Sequence, residues 1–398
     1  MRNVAVLRKA KKSNTTSFPE LRIINDNRKI ACHFVDLKNL HMRFSTIARS
    51  IFCAALLMQS IVSFAFETDQ YNLPPKPLAD IGEEVSHYTE QNLRKAVNKI
   101  NAEISATQSC LENNFRRLEK IKCNSLDRER LKLEFLRSEQ AVARAVYKQL
   151  GAGITPFTNS EIWMNTHHFI GQPARYKTDY EKSIFAVKPF NYLTISPTVN
   201  LYGAQFGTDK IAHFFQQGYT YYQKYNRAIA DGLTHDKAVG KAIRWGQMTE
   251  RTFYGTLVSG VYSNGDLCAN YVGMKFYQGL TRKIKIGDSI RPAVLLLKNG
   301  FWTFSENAEL QEILIKPFIS KHFNEALNPS NFSKNFGLHS FVRRSVRKRS
   351  CKAWLNQNPN LTKADLNASS QNLKRWHGED YGFTDSEKFV TIANTCFD

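Results

Sequence analysis

The chain has 398 residues, 42% of them hydrophobic and 12% aromatic, with a formal net charge of +20. That composition excludes a wholly disordered or collagen-like chain, and the length allows a large core and two or three domains. Residues 1–65 hold eleven Lys/Arg against three Asp/Glu, so the remainder of the chain is basic as well.

The first stretch speaks to export. Residues 1–41 are polar and basic and read as a mis-assigned upstream extension; translation is expected to start at Met42. Residues 42–65 read as a signal peptide: Arg43 and Arg49 supply the positive region, Ile51 to Phe64 the apolar run, and Ser63-Phe64-Ala65 a small-residue cleavage site. The apolar run is short for a membrane span, which favours cleavage and a periplasmic or secreted chain, soluble or peripheral to the envelope. In an oxidising compartment the remaining cysteines default to disulfides. Cys110–Cys123 would close a short loop, Cys351–Cys396 would tie back the tail, and Cys268 reads as a small buried hydrophobe.

Residues 66–151 read as a helical hairpin arm. Leu78, Ile81, Val85, Leu93, Val97, Ile100 and Ile104 recur at helical spacing. A second helix is expected from about Ser125 to Leu150, with Gly151 as its stop. Residues 152–330 read as a mixed core. Ser183–Val187 and Tyr192–Ser196 look like short strands, and Gln172 to Lys177 like an anion-contacting loop. His167 and His168, near Glu161 and Trp163, are candidates to complete a site; the plainer reading is a packing or surface pair.

Between Gly207 and Leu280 three helices are expected, each with polar residues spaced to meet at one point. Asp209, Lys210 and His213 belong to the first, with Asp209 and His213 one turn apart and Thr208 as N-cap. Glu250 belongs to the second, expected from Asp236 to Val258. Ser263-Asn264-Gly265-Asp266 opens the third, which carries Asp266 and Asn270 on one face and Gly273 beside it. Gly273 permits close approach of a neighbouring helix. Several carboxylates are costly to bury without a cation; Lys210 or a divalent metal held by Asp209, His213, Glu250 and Asp266 could supply it.

This order of motifs resembles the VanZ-like family and YfiM-type periplasmic lipoproteins: Asp209-Lys210-Ile211-Ala212-His213, then Glu250, then Ser263, Asp266, Asn270 and Gly273. The resemblance covers about a fifth of the chain. It implies cell-envelope biology and a shared helical core, with no reaction to transfer. The helices here are too polar for the membrane placement of VanZ-like proteins, and the Gln and Arg usual after the Glu lack a counterpart.

Past this region, Ala293–Leu297 and Phe301–Phe304 flank Lys298-Asn299-Gly300, a strong hairpin signal. Helices are expected over Asn307–Ile315 and Phe318–Leu327, separated at Pro317. Residues 331–398 form a basic C-terminal segment in which Arg343, Arg344, Arg347, Lys348 and Arg349 would make a helical stripe. Its functional reading is an anionic envelope component, a lipid headgroup or polysaccharide; export and the lack of a recognition motif disfavour nucleic acid. The plain reading is a solvated face. The fold expected is α+β and mainly α-helical. The function expected is a non-catalytic envelope binding or structural protein with a buried polar helix cluster. The alternative is a metal-dependent hydrolase in which the carboxylates bind metal or activate water, His213 acts as base and Lys210 stabilises an anion.

Overall fold

A computed structural model of the chain describes residues 67–115, 125–153, 157–186, 195–252, 254–257, 259–306, 310–334 and 337–397. The expected upstream extension, signal peptide and Cys123 lie outside the described residues, as does most of the expected strand at Tyr192–Ser196.

Helix α1, Gly82–Phe115, puts Val85, Leu93, Val97, Ile100 and Ile104 on one buried face. The expected second helix is two: α2, Leu126–Leu136, and α3, Glu139–Leu150. Ser138 breaks the run by capping α3, its hydroxyl accepting the Ala141 N–H. The break is filled from elsewhere. Trp302 Nε1 donates to the freed Leu136 carbonyl at 3.0 Å, and Arg137 Nε donates to Gly300 O at 3.1 Å. Both partners belong to the hairpin β6, Leu295–Lys298, and β7, Phe301–Phe304, whose Asn299-Gly300 turn has positive φ at both residues, as expected of Asn-Gly. The pair α1 and α3 packs on the core, the plainer outcome for a helical hairpin with charged outer faces. Its buried face belongs to the same hydrophobic core as the central helices.

Helix α4 is Asn159–Thr166. Over its described residues the strand expected at Ser183–Val187 gives way to a turn at Ser183–Ala186, where the buried Asp69 carboxylate takes the Ile184 N–H. Pairing occurs instead between β1, Thr198–Leu201, and β2, Ala204–Gly207, joined at Tyr202-Gly203. Asp80 accepts both turn N–H groups, at 2.8 and 2.7 Å, and so holds Tyr202 at its positive φ.

The centre is a run of helix: α5, Asp209–Ala212, a π-helical turn at His213–Gln217, and α6, Gly218–Ala230. Helix α7, His235–Glu250, and α8, Asn264–Gly279, pack against it. Gly218 and Gly273 face each other across α6 and α8, so close that a Cβ on Gly273 would collide with Phe214 O and Gly218 Cα. The close approach expected of Gly273 is present. Helix α7 ends at Glu250, short of the expected Val258, where the Thr256 N–H turns back to the Glu250 carbonyl. Strand β3, Val261–Ser263, then leads into α8.

The small hairpin of β4, Ile284–Ile286, and β5, Ser289–Arg291, follows, and α9 is Leu310–Leu314. Residues 318–327 are not α-helical. Asn324 Oδ1 accepts the N–H groups of Ala326 and Leu327, and Asn328 Nδ2 donates to His322 O, so side chains take the bonds a helix would need. Strand β8, Ser330–Phe332, pairs with β3 and with β9, Phe389–Val390, in an antiparallel sheet ordered β3-β8-β9. The C-terminal segment is helical through α10, Leu338–Ser345, a π turn at Val346–Ser350 and α11, Cys351–Gln357, followed by α12, Lys363–Asn372, and α13, Ile392–Cys396.

Two hydrophobic cores result among the described residues. The larger holds α1, α3, α6 and α8; the smaller gathers Tyr71, Ile184, Val261, Ala326, Val342, Val346, Trp354 and Val390. The fold is thus mainly helical α+β. The Cys351–Cys396 disulfide is formed, Cys110 is disulfide-bonded, and Cys268 is a buried free thiol. No helix among the described residues is long and apolar enough to cross a membrane.

Candidate functional site

Lys210 sits in the first turn of α5, which aims its side chain inward at the start of α8. Its amine is fully buried and touches three carboxylates: Asp209 Oδ2 at 2.5 Å, Asp266 Oδ1 at 2.6 Å and Glu325 Oε1 at 2.7 Å. The contacts to Asp209 and Glu325 are hydrogen bonds, and the approach to Asp266 is an ion pair without one. Burial alone would lower the Lys210 pKa. The charges of Asp209, Asp266, Glu325 and Glu67 outweigh burial and hold it well above its usual value.

Each carboxylate arrives on a different element. Asp209 is oriented by Thr68, whose hydroxyl donates to Oδ1 at 2.6 Å. That reach requires glycine at position 207, where any Cβ would overlap the Thr68 hydroxyl. Asp266 is set by the expected cap, in which Ser263 Oγ accepts the Asp266 N–H at 3.1 Å. The same Ser263 donates its hydroxyl proton to Glu325 Oε1 at 2.8 Å, and its N–H goes to Glu250 Oε1 at 3.1 Å. One serine thus joins three of the acids. His213, in the π turn, lies at the edge: Nε2 is 3.4 Å from Asp266 Oδ2, and Nδ1 is 3.0 Å from Asn270 Oδ1. A π turn inserts a residue into the helix and shifts side-chain direction, a feature common at functional sites.

Asp209, Lys210, His213, Glu250, Asp266 and Asn270 therefore share one neighbourhood. Thr208 does not cap α5 as expected; it is already helical, and its hydroxyl donates to Asn165 Oδ1. Nor does either histidine of the 167–168 pair join. His167 stacks on Trp163 at 4.5 Å with Nε2 3.4 Å from Glu84, and His168 is exposed. Arg175 is spent inside the fold: NH1 donates to Met164 O and His167 O at the end of α4. The anion-contacting loop expected there loses its arginine to this internal role.

Three carboxylates are additions that helix spacing does not reveal. Glu325 comes from the loop after Phe323, and its N–H is held by Gln70 Oε1. Glu161, on α4, accepts a long 3.4 Å bond from Ser196 Oγ, and burial, with Asp209 adding, pushes it up to about 8. Glu67 is 1% exposed, and neither of its carboxylate oxygens has a hydrogen-bond partner among the described residues. Burial, then the charges of Glu325 and Asp266, raises it well above the usual range. Burial and Asp266 do the same to Glu250. Glu325 is raised to about 7 by burial, against the pull of Lys210.

Among the described residues, the carboxylates whose oxygens converge within 4.8 Å are Glu67, Asp266 and Glu325, a set different from the expected Asp209, His213, Glu250 and Asp266. The cluster lies on the seam of the two cores. Ser263 follows Val261 of the smaller core and Tyr262 of the larger; Glu325 stands between Phe323 of the larger and Ala326 of the smaller. Chemically the arrangement can hold protons, bind a cation and lock two cores in register. Compared with protein-family models, curated proteins and solved structures, the chain matches none.

Proposed function

We propose that this chain is an exported, non-catalytic envelope protein in which the Lys210 cluster braces two cores and a basic helix docks on an anionic envelope surface. The closed geometry of the cluster carries the first half. Lys210 and Asp266 are 0% exposed and Asp209 and Glu250 1%, so the groups address one another and no substrate reaches them without opening the core. That closure weighs against the hydrolase alternative, which needs substrate beside the carboxylates.

The second half rests on the C-terminal helices. Residues 338–357 contain no Asp or Glu, and Arg343, Arg344, Arg347, Lys348 and Arg349 are all exposed. Leu338, Val342 and Val346 bury the opposite face in the smaller core. Backbone carbonyls steady three of the arginines: Asn394 O for Arg343, Thr395 O for Arg347 and Glu181 O for Arg349. A steadied row of cations suits a phosphate-rich headgroup surface, with each residue near it adding about 1 kcal/mol. The resemblance to VanZ-like and YfiM-type proteins and the leader at residues 42–65 support an envelope location.

The test is vesicle co-sedimentation of the chain with phosphatidylglycerol against phosphatidylcholine. Binding to the anionic vesicles alone, lost in high salt and in an Arg344→Gln, Lys348→Gln, Arg349→Gln variant, is expected. Equal binding to both, or an unaffected variant, refutes lipid docking. Anionic polysaccharide in place of vesicles identifies the other envelope ligand. N-terminal sequencing of exported protein checks the leader; a mature chain beginning far from Phe66 refutes that part.

A further inference from the structure

We propose that Glu67, Asp266 and Glu325 form a binding site for a hard divalent cation of the Ca²⁺ or Mg²⁺ class. One oxygen from each lies within 4.8 Å of the other two. Oxygens bound to a common ion at about 2.0–2.6 Å fall within that spread. The donors are all carboxylate oxygens, which suits Ca²⁺, Mg²⁺ or Mn²⁺ and disfavours thiophilic or imidazole-loving metals.

Glu67 is the independent observation. It reaches the cluster from the segment that precedes α1, with both oxygens buried and without a hydrogen bond among the described residues. Lys210 does not answer it, because its three contacts go to Asp209, Asp266 and Glu325. Asp266 is also incompletely served. Its Oδ1 meets the Lys210 amine without an aligned hydrogen bond, and its Oδ2 has only the 3.4 Å approach of His213. A purely structural brace gains nothing from an additional carboxyl that makes no bond, since a buried polar group without a hydrogen bond costs free energy in either protonation state. A second cation beside Lys210 gives Glu67 and Asp266 the partner they lack. The backbone already fixes the Glu67 side chain's origin, because the Ser196 N–H donates to Glu67 O at 2.9 Å.

The experiment uses the exported chain stripped with chelator and dialysed against Ca²⁺, Mg²⁺ or Mn²⁺, with Zn²⁺ as a contrast. Bound metal is measured by elemental analysis and Tm by calorimetry. One hard ion per chain is expected in the wild type and in Glu387→Gln, an exposed carboxylate outside the cluster, with Tm rising with ion concentration. Glu67→Gln should bind none. If Glu67→Gln does not fold, Glu67→Asp replaces it: it keeps the charge and shortens the reach, so its affinity should fall at least tenfold. No uptake and no Tm response in the wild type would overturn the site, as would wild-type affinity in either Glu67 variant. These readouts do not depend on vesicle binding, so the cation site and the docking surface stand or fall separately.

Discussion

Lys210 and Arg344 each carry a positive charge on a helix. The first is 0% exposed and the second stands in solvent. Around Lys210 the dielectric is low, every contact is strong, and every unpaired oxygen is costly. Around Arg344 water and salt screen the charge, so it contributes little to folding and remains available to a partner. In this chain buried charge organises the fold, while exposed charge is where recognition can act. The two regions also differ in reach. The basic run lies within one stretch of helix, whereas the cluster gathers residues from Glu67 to Glu325.

The sharpest way to break the comparison is Lys210→Met. It strands Asp209, Asp266 and Glu325 without their ammonium, and removing one partner from a buried ion pair costs about 3–5 kcal/mol. Urea denaturation should show a loss of that size; a loss below about 1 kcal/mol would mean the cluster is not a brace. Next in size is Gly273→Ala, whose new methyl strikes the Phe214 carbonyl and Gly218. Overpacking of this kind costs about 1–3 kcal/mol, measurable by the same denaturation.

Glu161 gives a pH test. Its carboxyl titrates near about 8 in the fold against a usual 4.5. The folded chain therefore keeps a proton that the unfolded chain releases. The stability from this group is whole below pH 4.5 and is lost as pH rises through about 8. Each such group makes stability fall by up to about 1.4 kcal/mol per pH unit in that window. Glu67, Glu250 and Glu325 act in the same direction. Glu161→Gln should flatten the pH profile of Tm; an unchanged slope would assign it elsewhere. The smallest effect on folding belongs to Arg344→Gln with Lys348→Gln, within about 0.5 kcal/mol, while anionic-vesicle binding falls. A large loss of stability there would erase the distinction between the two regions.

The cluster was half legible. Asp209, Lys210 and Asp266 could be found because helix periodicity puts them on inward faces, and Ser263-Asn264-Gly265-Asp266 announces its own cap. Glu67 and Glu325 could not, because they come from irregular segments whose position is set by distant contacts, such as Gln70 on the Glu325 N–H. The Asn299-Gly300 hairpin and the Cys351–Cys396 bond followed from local chemistry. The break at Ser138 and the unwinding of 318–327 did not. The first depends on a tryptophan from a remote hairpin, and the second on asparagines that outcompete a helix.

The strap from Glu67 to Tyr71 has a temporal consequence. Glu67, Thr68 and Asp69 are held from mid-chain, by Ser196, Asp209 and Ile184, but Gln70 and Tyr71 have late anchors: Glu325 for Gln70, Trp354 for the Tyr71 carbonyl, and Val390 for the Tyr71 hydroxyl. A chain synthesised from its N-terminus makes the strap first and the anchors last. Closing this end of the strap waits for residues made late, and contacts of such long sequence separation are the kind that slow folding. Chains arrested before Glu325 should be protease-sensitive at Gln70 and Tyr71, and a holding chaperone would have a long encounter with these two residues.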